Sequence, residues 1–491
     1  MTYRISLLLC LVVLLLFVGL GNHQLHNSTE PRVAGIAMAM HLSDNWVTPT
    51  LNGEPFLEKP PLSVWLGAAA IRMWGASPLT VRLASAFAGL FCVLLLYALL
   101  RRSGRPVAIA WSAAFILATC ASFWANSRQV GEDALLTLGV TMALLAYFCA
   151  SDRARTHQAH LGLWSLFTLG IVIATLSKGV LGLAMPGVVI FAWLTVESVQ
   201  RRRWVIAHWL RPALFTLLGL IPLSIWLYLL YRQGGARALE DVLWSNSVGR
   251  FSGAFVEAGH HEPFYYYAAK LPEAFLPWNL LVYLGLWHFR KTLLAHRHLA
   301  FFSLWLLAQF TLLSLASSKR MVYLMSLTPA AAVIAAEYAF VLSARWRERN
   351  ARSGQVRPWG GRGRVLIMTG AALITVGYLG AALWLVPRAD RQLSFLPLTD
   401  QIHALERQGR QVALFQPSER LAGASVFYSQ SLLETLTSDA QLMAFLKSAA
   451  TNVALMERAS APLPPLAVIA RYTVGNHAYY FVADAASALT Q

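Results

Sequence analysis

About eleven apolar stretches punctuate this chain, each long enough, some marginally, to cross a bilayer as a helix. They lie near residues 5–21, 79–100, 106–123, 133–150, 162–177, 180–197, 212–231, 272–287, 299–315, 322–342 and 365–387. In hydrocarbon every backbone N–H and C=O must find its partner inside the segment, so each stretch is expected to be helical. Only 13% of the residues are charged and 57% are hydrophobic, against roughly 25% charged in ordinary soluble domains. That excludes a soluble enzyme. It also excludes a disordered chain, which would be polar and strongly charged. The expected fold class is mainly α: a polytopic membrane bundle of about eleven, and up to thirteen, transmembrane helices. No internal repeat and no low-complexity segment is visible.

A net charge of +17 invites a nucleic-acid partner. The placement of the charges removes that reading. Arg4 and alternate loops near 101–105, 153–155, 201–211, 290–297 and 345–364 hold twenty basic groups and only two acids, Asp152 and Glu348. Excess Lys and Arg mark the cytoplasmic side of a bilayer, so these loops and the N-terminus are expected inside. The first helix (Leu7 to Leu20 after Arg4) could pass for a signal peptide and is taken as an uncleaved span. An odd number of spans then puts the C-terminus outside, in a bacterial inner membrane.

The tail from Arg388 to Gln491 carries eight basic and eight acidic residues and no cysteine. Residues 400–409 read as a helix, and QVALF (411–415), SVFYSQ (425–430), LAVIA (466–470) and YYFVAD (479–484) as strands. Ser438 is placed to cap a helix carrying Leu442, Phe445 and Leu446. The expected organisation is a membrane domain over 1–387, with a first outer loop at 22–78, and a small extracytoplasmic α/β domain over 388–491. Cys10, Cys92, Cys120 and Cys149 all fall in apolar runs, without metal or disulfide spacing.

The informative charges are the near-neutral remainder in short segments at the outer helix ends, where basic residues are scarce unless they have a task. The first outer loop opens STEPRVAGIAMAMH, with capping residues Ser28 and Thr29 and apolar residues at helical spacing. It is expected to be an amphipathic helix on the membrane surface. A proline- and glycine-rich turn follows and leads to Glu58-Lys59-Pro60-Pro61. Further along come NSRQVGED with Asp133, LSKGV with Lys178 in a tight outer turn, WSNSVGRF with Arg250, GHHEPFYYY with His260 and Tyr265 to Tyr267, and SSKRMVY with Lys319, Arg320 and Tyr323. Taken singly these have bland readings. Arg72 or Arg82 is a snorkelling anchor, Asp133 a helix cap, the tyrosines an interfacial belt. Their convergence is what those readings leave over. Arg32, Lys59, Lys178, Arg250, Lys319 and Arg320, with Glu30, Glu58 and Asp133, would form an outward cationic pocket suited to a phosphate-bearing lipid.

These pieces, in this order over roughly residues 1–340, resemble the bacterial GT-C glycosyltransferases of the aminoarabinose transferase and protein mannosyltransferase-like group. The elements GEPFLEKPP and LSKG…P together carry most of the likeness. The resemblance implies a GT-C fold and transfer of a sugar from a polyprenyl-phosphate carrier, possibly of 4-amino-4-deoxy-L-arabinose to lipid A. It implies that Lys59, Arg32 and Lys178, with Arg250, Lys319 and Arg320, hold the donor phosphate. Asp133 and Glu30 would be the catalytic carboxylates, and Tyr265, Tyr266, Tyr267 and Tyr323 would line the sugar or acceptor site. Glu58 and His260 match positions of a divalent metal ion in the family. The chain departs from the family in carrying Thr29-Glu30 where its relatives usually have an Asp-Glu pair.

The chemistry so implied is displacement at the anomeric carbon with lipid phosphate leaving, the basic groups stabilising charge on the departing oxygens. A hydroxyl acceptor would need Glu30 or Asp133 as general base; a phosphate acceptor would not. Other sugars (galacturonic acid or a hexose) on a lipopolysaccharide core, glycan or protein remain alternatives. A transporter of lipid-linked saccharides is the rival class, but such proteins commonly show repeats and midplane charges.

Overall fold

A computed structural model describes residues 2–26, 29–151, 157–249, 261–352, 362–457 and 466–485. The chain forms two compact units. One comprises Met1–Val18, Glu58–Leu62 and Ser85–Gly380; the other comprises Gly19–Leu57, Ser63–Ala84 and Ala381–Gln491. The second unit therefore takes in most of the first outer loop as well as the C-terminal segment.

Among the described residues seven helices are long and apolar enough to span a membrane. They are Pro78–Arg102, Asp133–Ala150, His160–Gln200, Ile206–Trp244, Arg297–Leu315, Met321–Trp346 and Met368–Leu393. Ile5–Phe17, Leu62–Trp74 and Val107–Ala118 are shorter apolar helices. The protein is a multi-pass membrane protein with a mainly helical fold. The count differs from eleven for local reasons. The stretches at 162–177 and 180–197 lie on either side of a break at Lys178 and Gly179, those at 5–21 and 106–123 form the shorter helices, and 272–287 is divided between helices Tyr266–Ala274 and Asn279–Phe289, with Pro277 in the break.

In the first unit, α1 (Thr2–Phe17) is followed, after the short Glu58–Leu62 segment, by the body of α4 (Pro78–Arg102), by α5 (Val107–Ala118) and by α6 (Ala121–Asn126). Helix α7 (Asp133–Ala150) is buried along its whole length against α8 (His157–Gln200). Glycine makes that contact possible. A Cβ on Gly139 would lie 2.5 Å from the Ala174 nitrogen, and one on Gly170 2.5 Å from the Ala143 nitrogen. Small residues that let helix backbones meet are the usual device where lipid offers no hydrophobic drive for helix association. Helix α8 is broken at Lys178 (φ −141°, ψ 24°) and Gly179 (φ 51°, ψ −122°). Gly179 is needed there because an L side chain rarely adopts that conformation. Beyond the break the chain doubles back, since a Cβ on Gly182 would lie 2.0 Å from the Ala174 carbonyl oxygen. In an unbroken helix eight residues span about 12 Å.

In the second unit, α2 (Thr29–Ser43) is not the amphipathic surface helix expected. Every residue from Glu30 to Met40 is buried. Its small residues admit the helix Glu419–Ser429, and a Cβ on Gly35 would sit 2.4 Å from Gly423 Cα. That contact also explains why SVFYSQ is helical through Ser429 rather than a strand. Burial against α2 and the Ser418 cap, which accepts from Leu421 N, outweigh the local alternation of side chains. Ser28 lies outside the described residues. The proline- and glycine-rich turn holds a hairpin, β1 (Thr50–Leu51) with β2 (Glu54–Pro55), around Asn52 (φ 51°) and Gly53 (φ 88°), the left-handed pair a tight hairpin turn requires.

The C-terminal segment is an α/β layer structure. Strands β3 (Val412–Phe415), β4 (Glu434–Leu436), β5 (Val453–Glu457), β6 (Leu466–Val474) and β7 (His477–Asp484) pair in the order β4-β3-β5-β7-β6. The β3 pairings are parallel and the β5–β7 and β6–β7 pairings antiparallel. The apolar run in β3 is continuous because both sheet faces are covered. Val412 and Leu414 pack with Ile402 and Leu405 of the helix Leu396–Arg407. Ala413 and Phe415 pack with Leu442 and Leu446 of the helix Asp439–Ser448, which Ser438 caps as expected.

One carboxylate makes this sheet pH-sensitive. Glu457 accepts hydrogen bonds from Ser418 and from Arg420, and lies 2.7 Å from His477 Nδ1. Burial alone would raise its pKa, but the hydrogen bonds from Ser418 and Arg420 and the charges of Arg420 and His477 win, and it is held below the usual carboxylate range. A depressed folded-state pKa contributes stability that is complete above the unfolded pKa of about 4.3 and is lost as pH falls through the folded value. Thermal unfolding at pH 7 should therefore show Glu457→Gln destabilised. As pH falls below about 4 the gap between variant and wild type should close. A constant gap across that range would contradict this account.

Candidate functional site

The first unit gathers acids and lysines from four separate segments. Pro60 and Pro61 fix the backbone after Glu58-Lys59. Lys59 Nζ donates to Glu132 Oε2 at 3.3 Å and lies 3.7 Å from Glu58 Oε2. Glu132 and Asp133 open α7, where the helix dipole favours negative charge. Asp133 Oδ1 contacts Lys178 Nζ at 2.7 Å, and Lys178 Nζ sits 4.2 Å from the centre of the Tyr323 ring, a cation–π contact. The break in α8 is what delivers Lys178 here. Lys178 and Asp133 are only 7% and 8% exposed. Their contact lacks hydrogen-bond angles, so both Lys178 Nζ and Asp133 Oδ1 are buried without a directed hydrogen bond. Such atoms carry unused capacity for a polar ligand.

Of the residues expected to form a cationic pocket, the first unit brings together Lys59, Lys178, Glu58 and Asp133, and adds Glu132. Two ammonium groups, Lys59 and Lys178, stand among three carboxylates, Glu58, Glu132 and Asp133. Lys319 and Arg320 are nearby in chain but differently used. Lys319 Nζ donates to the carbonyls of Glu262 at 2.9 Å and Ala316 at 2.6 Å. Arg320 exchanges backbone hydrogen bonds with the Tyr267 hydroxyl at 3.2 and 3.3 Å. These contacts, and the bridge between His261 and Ser318, fasten the segment after residue 260 to the start of the 3-10 turn Met321–Leu327. Tyr267 is fully buried as a strut, whereas Tyr265 is exposed and Tyr266 half-buried. Arg128, just before the two acids, donates to the Leu15 and Leu16 carbonyls at 3.1 and 3.0 Å and so holds the C-terminal end of α1.

The remaining expected residues of α2 belong to the second unit. Arg32 pairs with Glu419 at 2.7 Å and faces the Phe56 ring. Glu30 is buried and accepts from Arg82 through both carboxylate oxygens, at 2.8 and 2.9 Å, and from the His26 amide. Arg82 is therefore no snorkelling anchor: it is 0% exposed because a carboxylate and three carbonyls surround it. Arg72 pairs with Asp44 at the surface, as an anchor would. Arg250 and His260 lie outside the described residues. Among the described residues no cluster of three or more His, Cys, Asp or Glu stands ready for a metal ion. Glu58 faces the Lys59 ammonium, a poor neighbour for a second cation.

Sequence reasoning left out Glu132 as a site residue, although its adjacency to Asp133 at a helix start was visible. It also missed Glu419 and Asn52, whose side chain bonds Leu433 and Thr435. No local signal marks residues that act across hundreds of positions.

Residues 5–236 match the family model described as dolichyl-phosphate-mannose-protein mannosyltransferase. The undecaprenyl phosphate-alpha-4-amino-4-deoxy-L-arabinose arabinosyl transferase of Pseudomonas aeruginosa (strain LESB58) is 30% identical over 325 residues, 65% of this chain and 56% of that protein. The chain thus spans little more than half the length of the curated relatives it matches. The crystal structure of ArnT from Cupriavidus metallidurans bound to undecaprenyl phosphate superposes with a TM-score of 0.76 at 20% identity, covering 98% of both chains. The archaeal oligosaccharyltransferase AglB from Archaeoglobus fulgidus gives 0.55 at 13% identity over 93% of this chain and 69% of its own. These two likenesses show the fold.

Proposed function

We propose that this chain, which is similar to the aminoarabinose transferases and protein mannosyltransferases and has their GT-C fold, moves a sugar from a polyprenyl phosphate carrier to an acceptor on the outer face of a bacterial inner membrane. The donor is an undecaprenyl-phosphate-linked amino sugar of the aminoarabinose type, and the acceptor is a lipid A phosphate. The orientation rests on the twenty basic groups of Arg4 and the alternate loops, which leave the Lys178 break of α8 and the C-terminal segment outside.

One observation carries the choice of sugar: the mixed charge of the Lys59–Glu132 and Lys178–Asp133 cluster. A purely cationic pocket would suit any sugar phosphate. Two ammonium groups among three carboxylates suit a donor that is itself zwitterionic, an anionic phosphate beside a protonated sugar amine. Galacturonic acid would bring a further carboxylate against Glu58, Glu132 and Asp133, and like charges in a buried site are costly.

In the reaction the acceptor oxygen bonds to the anomeric carbon as the bond from that carbon to the carrier phosphate oxygen breaks. The electron pair leaves with the phosphate. Lys59 and Lys178 stabilise that developing charge. Asp133 holds Lys178 in place and, with Glu58 and Glu132, faces the sugar amine. Tyr323 backs the Lys178 ammonium. Glu30, engaged by Arg82 and the His26 amide, serves to position α2. A phosphate acceptor is already an anion and needs no base, which fits a chain that carries Thr29 in place of an acid.

Purified protein given lipid A with either the aminoarabinose or the galacturonic acid carrier should release free carrier phosphate only with the first. Mass spectrometry should find the amino sugar on a lipid A phosphate. Equal turnover of the two donors would refute the charge argument, and turnover of neither would refute the transferase reading.

A further inference from the structure

A polar cavity lies in the first unit, at the opposite end of the bundle from Lys178. Its volume is about 530 Å³, inside the range of roughly 300–1,000 Å³ typical of small-ligand sites. It is lined by Arg105, from the turn between α4 and α5, by His288, His296, Arg297 and His298, around the start of the helix Arg297–Leu315, and by Glu337. The 19 residues of that helix, at about 1.5 Å each, separate the cavity from the Lys319 segment by roughly 28 Å. The reaction site and this cavity therefore face opposite leaflets.

The positive-inside rule accounts for the number of arginines in these loops but not for a cavity built from them. Arg102 and Arg290 of the same loops are exposed, whereas Arg105 and Arg297 are folded inward. Arg297 donates to the Phe148 carbonyl at 3.0 Å and to Ser151 Oγ at 2.8 Å. Arg105 pairs with Glu337, the carboxylate of the site. Arg105 Nε and Glu337 Oε1 are both buried without a hydrogen-bond partner. The helix Arg297–Leu315 begins here with no side-chain cap, so its first amides and the positive end of its dipole meet the cavity. Arg345 adds a third guanidinium at the rim, 3.3 Å from His288 Nε2.

We propose that this cavity binds the phosphodiester headgroup of a phospholipid in the leaflet opposite the reaction site. Guanidinium groups, imidazoles and helix amides are the donors that phosphate oxygens select. A basic pocket between transmembrane helices at headgroup depth is where such lipids dock. The orphaned Arg105 Nε would gain its partner from a phosphate oxygen. Inorganic phosphate shares the anionic chemistry but lacks the acyl chains that would lie along the helices.

The test uses the delipidated full-length protein and native mass spectrometry with added phosphatidylglycerol, against inorganic phosphate as competitor. Wild type should retain one lipid with an affinity that Arg105→Gln weakens roughly tenfold or more, the loss expected for a charge-assisted hydrogen bond. The pair His288→Ala with His296→Ala leaves the Arg105–Glu337 and Arg297–Phe148 contacts in place. It should weaken retention while melting as wild type does. Unchanged retention in both variants would overturn the proposal. So would binding of inorganic phosphate with no retention of the lipid.

Discussion

Replacing Lys59 by methionine is expected to lower sugar transfer by roughly 100- to 1,000-fold, about 3–4 kcal/mol in the barrier, as the loss of one preorganised donor does at other anionic transition states. Lys59 stands between Glu58 and Glu132. In the proposed reaction its ammonium meets the carrier phosphate as charge accumulates there. The effect should fall on kcat more than on KM, because the charge is larger as the phosphate leaves than in the bound donor. Lys59→Arg should recover part of the rate, since it keeps the charge and changes the geometry. Turnover of the purified variants measures all of this. Loss of transfer together with loss of the folded protein would make Lys59 a structural residue, and near-normal kcat for Lys59→Met would remove it from the site.

The second large effect concerns stability. Arg82 carries five N–H donors, and the structure gives it five acceptor contacts: both Glu30 oxygens, and the carbonyls of Leu20 at 2.9 Å, His23 at 3.0 Å and Gln24 at 2.7 Å. It therefore knots the chain entering α2 to the start of α4. Arg82→Ala strips the Glu30 charge of its partner in a buried setting, which costs about 3–5 kcal/mol. The three carbonyls lose their donor as well. The variant should express poorly or melt many degrees below wild type. Arg82→Lys should not rescue it, because an ammonium has three donors in another geometry. Glu30→Gln with Arg82→Met should be less harmful than Arg82→Ala, since it removes the stranded charge. An Arg82→Ala protein that melts within a degree or two of wild type would end this account.

Much of the fold was legible because the bilayer leaves few choices. Asp133 at the head of α7, Lys178 beside a glycine in LSKGV, and Ser438 before an apolar helix are local signals, and each element formed where its signal lay. Where the reading was wrong, distant packing had reversed a local pattern. The helical spacing of α2 was read as one apolar face, but its small residues let it be buried on every side. SVFYSQ alternates like a strand but is helical because Gly423 must meet Gly35. Arg82 looks like any arginine at a helix end, and only Glu30, 52 residues away, makes it a core residue.

The sequence by itself determined that the chain crosses a membrane many times, which loops carry the excess of arginine, and which short segments carry the spare lysines and acids. Those properties follow from transfer free energies and charge counts, and these are sums over local residues. Only the tertiary structure decided which charges meet. It placed Lys59 on Glu132 and Lys178 on Asp133. Ion pairing depends on separations of a few ångströms between groups far apart in sequence, and no periodicity records them.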